Sequence, residues 1–311
     1  MSIIQAIILG IVQGISEFLP ISSSGHLVVL HQVFGIDKGA FTFDIVVHLG
    51  SLVAVIVYFW ADIMAIIKAP FRKMTGLLIV GTIPAVIAGF FLRGVIDTYF
   101  RTGVWLAAAF TLTGVLLVLA DSFTKVREKK HRASPDDKAN STRSSSGQAE
   151  NTKWNRECDS VNPGLDERDA KLRQEEQEIS WLDALFIGCC QALAIPPGIS
   201  RSGTTITGGL ARGLKRETAA RFSFLLAVIA IAGAGALEAF EEVVQGTGAN
   251  VAAIGIVPII VGFVVSGVVG YFCIRLLLAL IKACKLKYFS YYLWVLAALI
   301  FVDWIVFNRF F

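Results

Sequence analysis

Charge is scarce in this chain. Asp, Glu, Lys and Arg supply 17% of the residues while 55% are hydrophobic, against roughly 45–50% apolar residues in soluble domains. The charges that do occur are concentrated between residues 122 and 180. Elsewhere, apolar runs of about 20 residues carry no polar face, which a surface helix of a soluble fold requires. A soluble globular fold is therefore excluded. Metal-binding cysteine patterns are also missing. Cys158 sits in the polar stretch, while Cys189, Cys190, Cys273 and Cys284 sit in apolar surroundings without the paired spacing of a zinc site, so they read as small packing residues. The first residues lack a basic segment and a small-residue cleavage site, which predicts mature sequence there and not a signal peptide. The net charge of +4 says less than its distribution does, and no nucleic-acid partner is expected.

Six segments are long enough to cross a bilayer at about 1.5 Å per residue, near 43–60, 77–95, 103–121, 221–238, 251–273 and 289–307. Two further apolar stretches, 4–33 and 181–213, are broken midway by Leu19-Pro20-Ile21-Ser22-Ser23-Ser24-Gly25 and by Pro196-Pro197-Gly198-Ile199-Ser200-Arg201-Ser202-Gly203. Broken helices at membrane depth are tolerated where they are buried in protein or line a wet cavity, so both stretches read as re-entrant hairpins. They also resemble each other. A shift of 178 residues pairs Gly10 with Gly188, Gln13 with Gln191, Ile21 with Ile199, Ser22 with Ser200, Ser24 with Ser202 and Gly25 with Gly203, and the Gly81 to Gly89 spacing recurs from Gly262 to Gly270.

Each half is then a hairpin followed by three spans, and the odd number inverts the second half. Loop charges agree with this. Lys68, Arg72 and Lys73, the basic run after Lys125, Arg212 with Lys215 and Arg216, and Arg275 to Lys287 all fall on one side, opposite Glu238, Glu241 and Glu242, as the positive-inside rule expects. Both termini are expected outside, the first hairpin entering from outside and the second from the cytoplasm. The expected fold is an all-α integral membrane protein of six full transmembrane helices plus two re-entrant helix hairpins in an inverted-topology repeat. Its parts are a first half at 1–121, a polar, mostly disordered cytoplasmic loop at 122–180, helical in its last dozen residues and read as an inert insertion, and a second half at 181–311.

Charge at the centre of a span costs about 2.5–3.5 kcal/mol on insertion scales, so the ionisable residues left at the breaks carry information. Glu17 follows Gln13 by one turn, putting both on one helical face. Ser22, Ser23 and Ser24 follow Pro20, and Gly25 and His26 open the next helix. In the second break Ser200, Arg201, Ser202, Gly203, Thr204 and Thr205 start a helix after Pro197-Gly198. Each break offers helix-start N–H groups with hydroxyls beside them, an arrangement that binds anions, and Arg201 adds a planar cation suited to phosphate oxygens. If the two tips meet, a carboxylate, a histidine, several hydroxyls and an arginine share one pocket: the parts of a phosphoryl-transfer site for a phosphate that is also membrane-soluble. His31, His48, Ser16 and Ser51 read as packing residues.

Gln13-Gly14-Ile15-Ser16-Glu17-Phe18-Leu19-Pro20-Ile21-Ser22-Ser23-Ser24-Gly25-His26 resembles the first motif of the BacA-type undecaprenyl-diphosphate phosphatases, and Pro197-Gly198-Ile199-Ser200-Arg201-Ser202-Gly203-Thr204-Thr205 resembles their second. The resemblance covers nearly the whole chain outside 122–180. It implies removal of the terminal phosphate of undecaprenyl diphosphate, recycling the lipid carrier for peptidoglycan synthesis and conferring bacitracin resistance. It implies a multi-pass protein of the bacterial inner membrane with a site open to the periplasm, and a divalent cation, Mg2+ or Ca2+. The partner is a polyprenyl diphosphate lipid, and a homo-oligomer is compatible with the family.

The family's catalytic residues map to Glu17, Ser23, His26 and Arg201, with Ser22, Ser24, Ser200, Ser202, Gly203 and Thr205 around the phosphate and Gln13 with Glu17 at the metal. Gln13 stands where some relatives carry Glu, which weakens a two-carboxylate metal site, although an amide carbonyl can still bind a hard cation. Either Ser23 attacks, with His26 or Glu17 taking its proton, or His26 attacks directly. The alternative from another class is a transporter or flippase of a polyprenyl phosphate built on the same inverted repeat.

Overall fold

The computed structural model describes residues 1–36, 39–99, 102–132, 165–244, 254–283 and 286–307. Among the described residues all regular structure is helical: α1 (Ile3–Ser16), α2 (Ser23–Phe34), α3 (Ala40–Tyr58), α4 (Trp60–Lys68), α5 (Lys73–Tyr99), α6 (Gly103–Arg132), α7 (Leu165–Glu178), α8 (Trp181–Leu193), α9 (Arg201–Ala211), α10 (Arg216–Val244), α11 (Ile256–Ala283) and α12 (Lys287–Val302), ending in a π-helical turn at Asp303–Phe307. Within α3, α5, α6, α10, α11 and α12 lie six segments long and apolar enough to cross a bilayer: Ala40–Tyr58, Lys73–Leu92, Gly103–Phe123, Arg216–Leu237, Ile256–Ile281 and Lys287–Val306. The protein is a multi-pass membrane protein. The number of spans agrees with the sequence reading, and the ends differ most in the fifth. Hydropathy ends that span at residue 273, before the charge of Arg275, but the helix continues through Ile274, Leu277 and Ile281, which are buried. An arginine near a helix end can carry its head to the interface on its long stem.

The two interrupted stretches fold as short helix pairs, α1 with α2 and α8 with α9. At 14 and 13 residues, α1 and α8 reach about 20 Å at 1.5 Å per residue, short of the roughly 30 Å hydrocarbon core. The breaks follow from local chemistry. Pro20 closes the first helix region, and Gly198 turns the second with φ +94°, a left-handed value that glycine adopts without Cβ strain. Opposite ends of the second pair come back together: Arg212, at the end of α9, forms an ion pair at 2.6 Å with Asp183 in the first turn of α8. At the first pair, Met1 packs in one apolar cluster with Phe34, Ile36 and Ile254.

Packing pairs the halves crosswise. Helix α1 lies along α11, α8 lies along α5, α6 packs on α12, and α3 packs on α10 and α11. The two hairpin contacts use the same device. A Cβ on Gly10 would stand 3.0 Å from the Gly262 carbonyl oxygen, and a Cβ on Gly188 would stand 2.4 Å from that of Gly81. Backbones this close require small residues, as is common between membrane helices.

At the end of the bundle where α8 begins, charge is paired with charge. Arg221 binds Asp62 at 2.9 Å and Glu175 at 3.1 Å, and Arg216 lies 3.8 Å from Asp121, whose carboxylate accepts the Leu286 N–H at 3.1 Å. The polar stretch takes part in this. Its last residues form α7, as expected, and Leu172 and Ile179 are buried in the main core. Lys73 Nζ donates to the Glu176 carbonyl at 2.7 Å, and Lys215 pairs with Glu178. Helix α6 runs on to Arg132, past the boundary read at 121, and the disorder expected further along falls on 133–164, outside the described residues.

Candidate active site

Glu17 is the hub. It caps the C-terminus of α1, one turn after Gln13, and is 6% exposed. Three donors bind its carboxylate, and the His48 ring lies beside it. Gln13 Nε2 donates to Oε2 at 3.1 Å, and the Ser23 hydroxyl, from the first residue of α2, donates to the same oxygen at 2.6 Å. Arg201, the first residue of α9, puts Nη2 on Oε1 and Nη1 on the Ala227 carbonyl at 3.3 Å. His48 Nε2 lies 3.6 Å from Oε2, its ring held by Nδ1–H donating to the Asp44 carbonyl at 2.7 Å. A carboxylate accepts only, so the Gln13 amide must turn its NH2 toward Glu17. That leaves Gln13 Oε1 buried with no hydrogen-bond partner.

His26 stands apart from that hub. Both ring nitrogens are engaged, Nδ1 with the Ser22 carbonyl at 2.6 Å and Nε2 with the Tyr292 hydroxyl at 2.7 Å, and neither with Ser23 or Glu17. The ring is wedged between Phe110, edge-on at 5.3 Å, and Tyr292, stacked at 5.7 Å.

The remaining hydroxyls divide by access. Ser23 and Ser24 are half-buried, as is Arg201, while Ser22, Ser200, Ser202, Gly203 and Thr205 are buried. Ser22 and Ser200 are N-caps, accepting from the Gly25 and Gly203 N–H groups at 3.4 and 3.1 Å. Ser22 adopts φ +72°, costly for a residue with a Cβ, and that turn points its carbonyl at His26. Ser202 Oγ donates to the Leu19 carbonyl at 3.2 Å, tying the second break to the first, and Thr205 Oγ1 donates to the Arg201 carbonyl at 2.8 Å and meets Ser223. The Ser24 hydroxyl accepts the Gly198 N–H at 3.4 Å, and Ser200 N–H donates to Thr113 Oγ1 at 3.2 Å. The breaks therefore do meet, and Ser23, Ser24 and Arg201, with His48 beside them, are only partly buried.

Depth follows from the spans themselves. His48 and Ser51 bracket the middle of Ala40–Tyr58, Thr113 is the central residue of Gly103–Phe123, and Ala227 lies at the middle of Arg216–Leu237. The site lies midway along three of the six apolar spans. This geometry coincides with a family assignment: the profile described as "Bacitracin resistance protein BacA" matches residues 6–299. The chain belongs to the BacA family. Among curated relatives it is similar to the undecaprenyl-diphosphatase of Carboxydothermus hydrogenoformans (39% identical, 97% of each chain covered), that of Methanosphaera stadtmanae (35%, 94% of each) and undecaprenyl-diphosphatase 4 of Bacillus cereus (36%, 96% of each).

Several residues of this BacA-family site escaped the sequence reading. His48 and Ser51 read as packing residues, yet His48 faces Glu17 and Ser51 Oγ lies 3.4 Å from Gln13 Nε2. The available signal was their position, three residues apart at mid-span, where a polar pair on one face needs a polar neighbour. Tyr292 offered no signal, being one of three tyrosines near the start of α12. Thr113 and the Ala227 carbonyl become relevant only once α9 is docked.

Proposed function

We propose that this chain hydrolyses the terminal phosphate of undecaprenyl diphosphate, releasing phosphate and undecaprenyl phosphate for reuse in peptidoglycan synthesis, with bacitracin resistance as a consequence. The observation that carries the proposal is the Ser23 to Glu17 hydrogen bond of 2.6 Å beside Arg201: a nucleophile, a proton acceptor and a phosphate-binding cation in contact midway along the spans. A carrier needs only a reversible anion site, so the serine–carboxylate pair favours hydrolysis over the transporter alternative.

In this reading Arg201, Ser24 and the helix-start N–H groups of α2 and α9 hold the terminal phosphate. Ser23 Oγ attacks its phosphorus, its proton passes to Glu17 Oε2, and the bond from phosphorus to the bridging oxygen breaks to release undecaprenyl phosphate. Water then cleaves the phosphoserine. Direct attack by His26 is less favoured, because both of its nitrogens are engaged.

A divalent cation, Mg2+ or Ca2+, fits with limits. Gln13 Oε1 is a buried acceptor without a partner, and Glu17 is a carboxylate beside it. Among the described residues no group of three or more His, Cys, Asp or Glu side chains is suited to a metal, so substrate oxygens and water would complete the shell, as is common for Mg2+. When bound, the cation neutralises charge on the phosphate oxygens.

The crosswise packing, the shared Gly–Gly contacts and the Asp183–Arg212 closure support two re-entrant hairpins in an inverted repeat. The basic ends support a cytoplasmic face there and a site open to the periplasm of the inner membrane. The test is phosphate release from undecaprenyl diphosphate by purified protein in detergent with Mg2+ or Ca2+. Wild type should release phosphate and Arg201→Ala should lose at least about 10²-fold, the scale of losing a preorganised anion-stabilising donor. No release by folded wild type with either cation would move the transporter reading to the front.

A further inference from the structure

The buried imidazole of His26 has a partner from the other half of the chain. Ser22 presents a carbonyl oxygen, which can only accept, so Nδ1 must carry the proton. In the neutral ring Nε2 then bears the lone pair, and the Tyr292 hydroxyl donates to it at 2.7 Å. The parallel rings and the edge of Phe110 fix the imidazole plane. Ser23, by contrast, already donates to Glu17. Two hydroxyl–acceptor pairs thus stand in the first turn of α2: Ser23 with Glu17, and Tyr292 with His26 three residues on. The first accounts for activation of the nucleophile, which leaves the basic nitrogen of His26 with no part in that step.

We propose that Tyr292 is a positioning residue for the phosphatase reaction: it holds His26 neutral with Nε2 as an acceptor, reserving the imidazole for the water that cleaves the phosphoserine. This rests on the phosphatase reading. In the second step the water oxygen bonds to phosphorus while the bond from phosphorus to Ser23 Oγ breaks. Glu17 returns its proton to Ser23, and the proton from water goes to His26 Nε2, which later releases it to solvent. The attacking water takes the place of the Tyr292 hydroxyl at Nε2. Tyr292 is about half exposed, 48%, which gives its side chain room to swing.

The split between steps makes the test specific, since kcat/KM reports events up to the first irreversible step while kcat includes the second. In Tyr292→Phe, kcat and KM for undecaprenyl diphosphate should fall together, about five-fold, the scale of one neutral hydrogen bond. kcat/KM should stay unchanged, and the fraction of enzyme trapped as phosphoserine by acid quench should rise. His26→Gln should show the same pattern more strongly, and Tyr291→Phe neither effect. The 15N resonance of His26 Nε2, identified by its loss in His26→Gln, should move in Tyr292→Phe at fixed pH. A kcat/KM falling as far as kcat without extra phosphoserine, or an unmoved Nε2 resonance, would overturn the role of Tyr292 alone. Absence of phosphate release by wild type would overturn the phosphatase reading and this role with it.

Discussion

Replacing Glu17 by Gln should abolish turnover and yet tighten binding of a diphosphate. The Glu17 carboxylate sits on the guanidinium of Arg201, the group proposed to bind the substrate phosphate. Substrate must therefore displace a resident anion and then lie beside it. The Arg201 side chain is 21% exposed and that of Glu17 4%, so the pair is poorly screened by water. A hydrogen bond to a charged group is worth about 1.5–3 kcal/mol, and about 1.4 kcal/mol is tenfold in affinity. Gln keeps an amide oxygen that can still accept from Arg201, so the lower end applies. Without divalent cation, Glu17→Gln should bind methylenediphosphonate about tenfold more tightly than wild type by titration calorimetry in detergent. Phosphate release should fall by about 10³-fold, as expected when a proton acceptor is lost. The wild-type carboxylate would then become a proton acceptor only as substrate arrives and takes Arg201 from it. Equal or weaker binding by a variant that melts like wild type would refute the competition and make Glu17 a ligand-holding group.

Two further predictions concern the scaffold. Arg221→Met deprives the buried carboxylates of Asp62 and Glu175 of their guanidinium, at about 3–5 kcal/mol for breaking a buried pair from one side. The melting temperature in detergent should drop by roughly 10 °C, and Asp62→Asn in the same chain should restore part of it. Gly188→Ala would set a Cβ 2.4 Å from the Gly81 carbonyl oxygen and should destabilise by about 1–3 kcal/mol as overpacking does. Gly233→Ala, where a Cβ meets nothing within 4 Å, should be neutral or stabilising in the same thermal assay.

What the chain reveals in advance depends on the range of each interaction. Spans are legible because hydropathy is a property of consecutive residues, and the six segments emerge with shifted ends. The breaks are legible because Pro20 and Pro197-Gly198 act locally on the backbone. Glu17, His26 and Arg201 could be singled out because charge is expensive at depth and these residues flank the breaks, while only the family resemblance set Ser23 apart from Ser22 and Ser24. Their connectivity was not legible. Whether Ser23 gives its proton to Glu17 or to His26 depends on the φ of Ser22, which turns the Ser22 carbonyl onto Nδ1, and on a tyrosine 266 positions away in sequence. Likewise Leu172 and Ile179 read as part of a polar segment until Arg221 and Lys73 are seen to hold α7 against the bundle.

Each half of the chain contributes one sign of charge to the centre of the membrane. Glu17 alone at a hairpin tip would face the full cost of an unpaired carboxylate in hydrocarbon, and Arg201 alone that of an unpaired guanidinium. At 14 and 13 residues, α1 and α8 are each too short to cross a bilayer alone. The charges are tolerable only when the two tips meet, so the contact that makes the site is also one the fold requires. The Gly10–Gly262 and Gly188–Gly81 approaches serve the same end, since each seats one hairpin against a span of the opposite half and thereby fixes where its tip lies. The pair also explains why the centre must stay polar. Once Glu17 and Arg201 face each other, their remaining lone pairs and N–H groups need Gln13, Ser23 and the Ala227 carbonyl. Ser23, which satisfies one lone pair of the Glu17 carboxylate, is also the hydroxyl proposed to attack the phosphate.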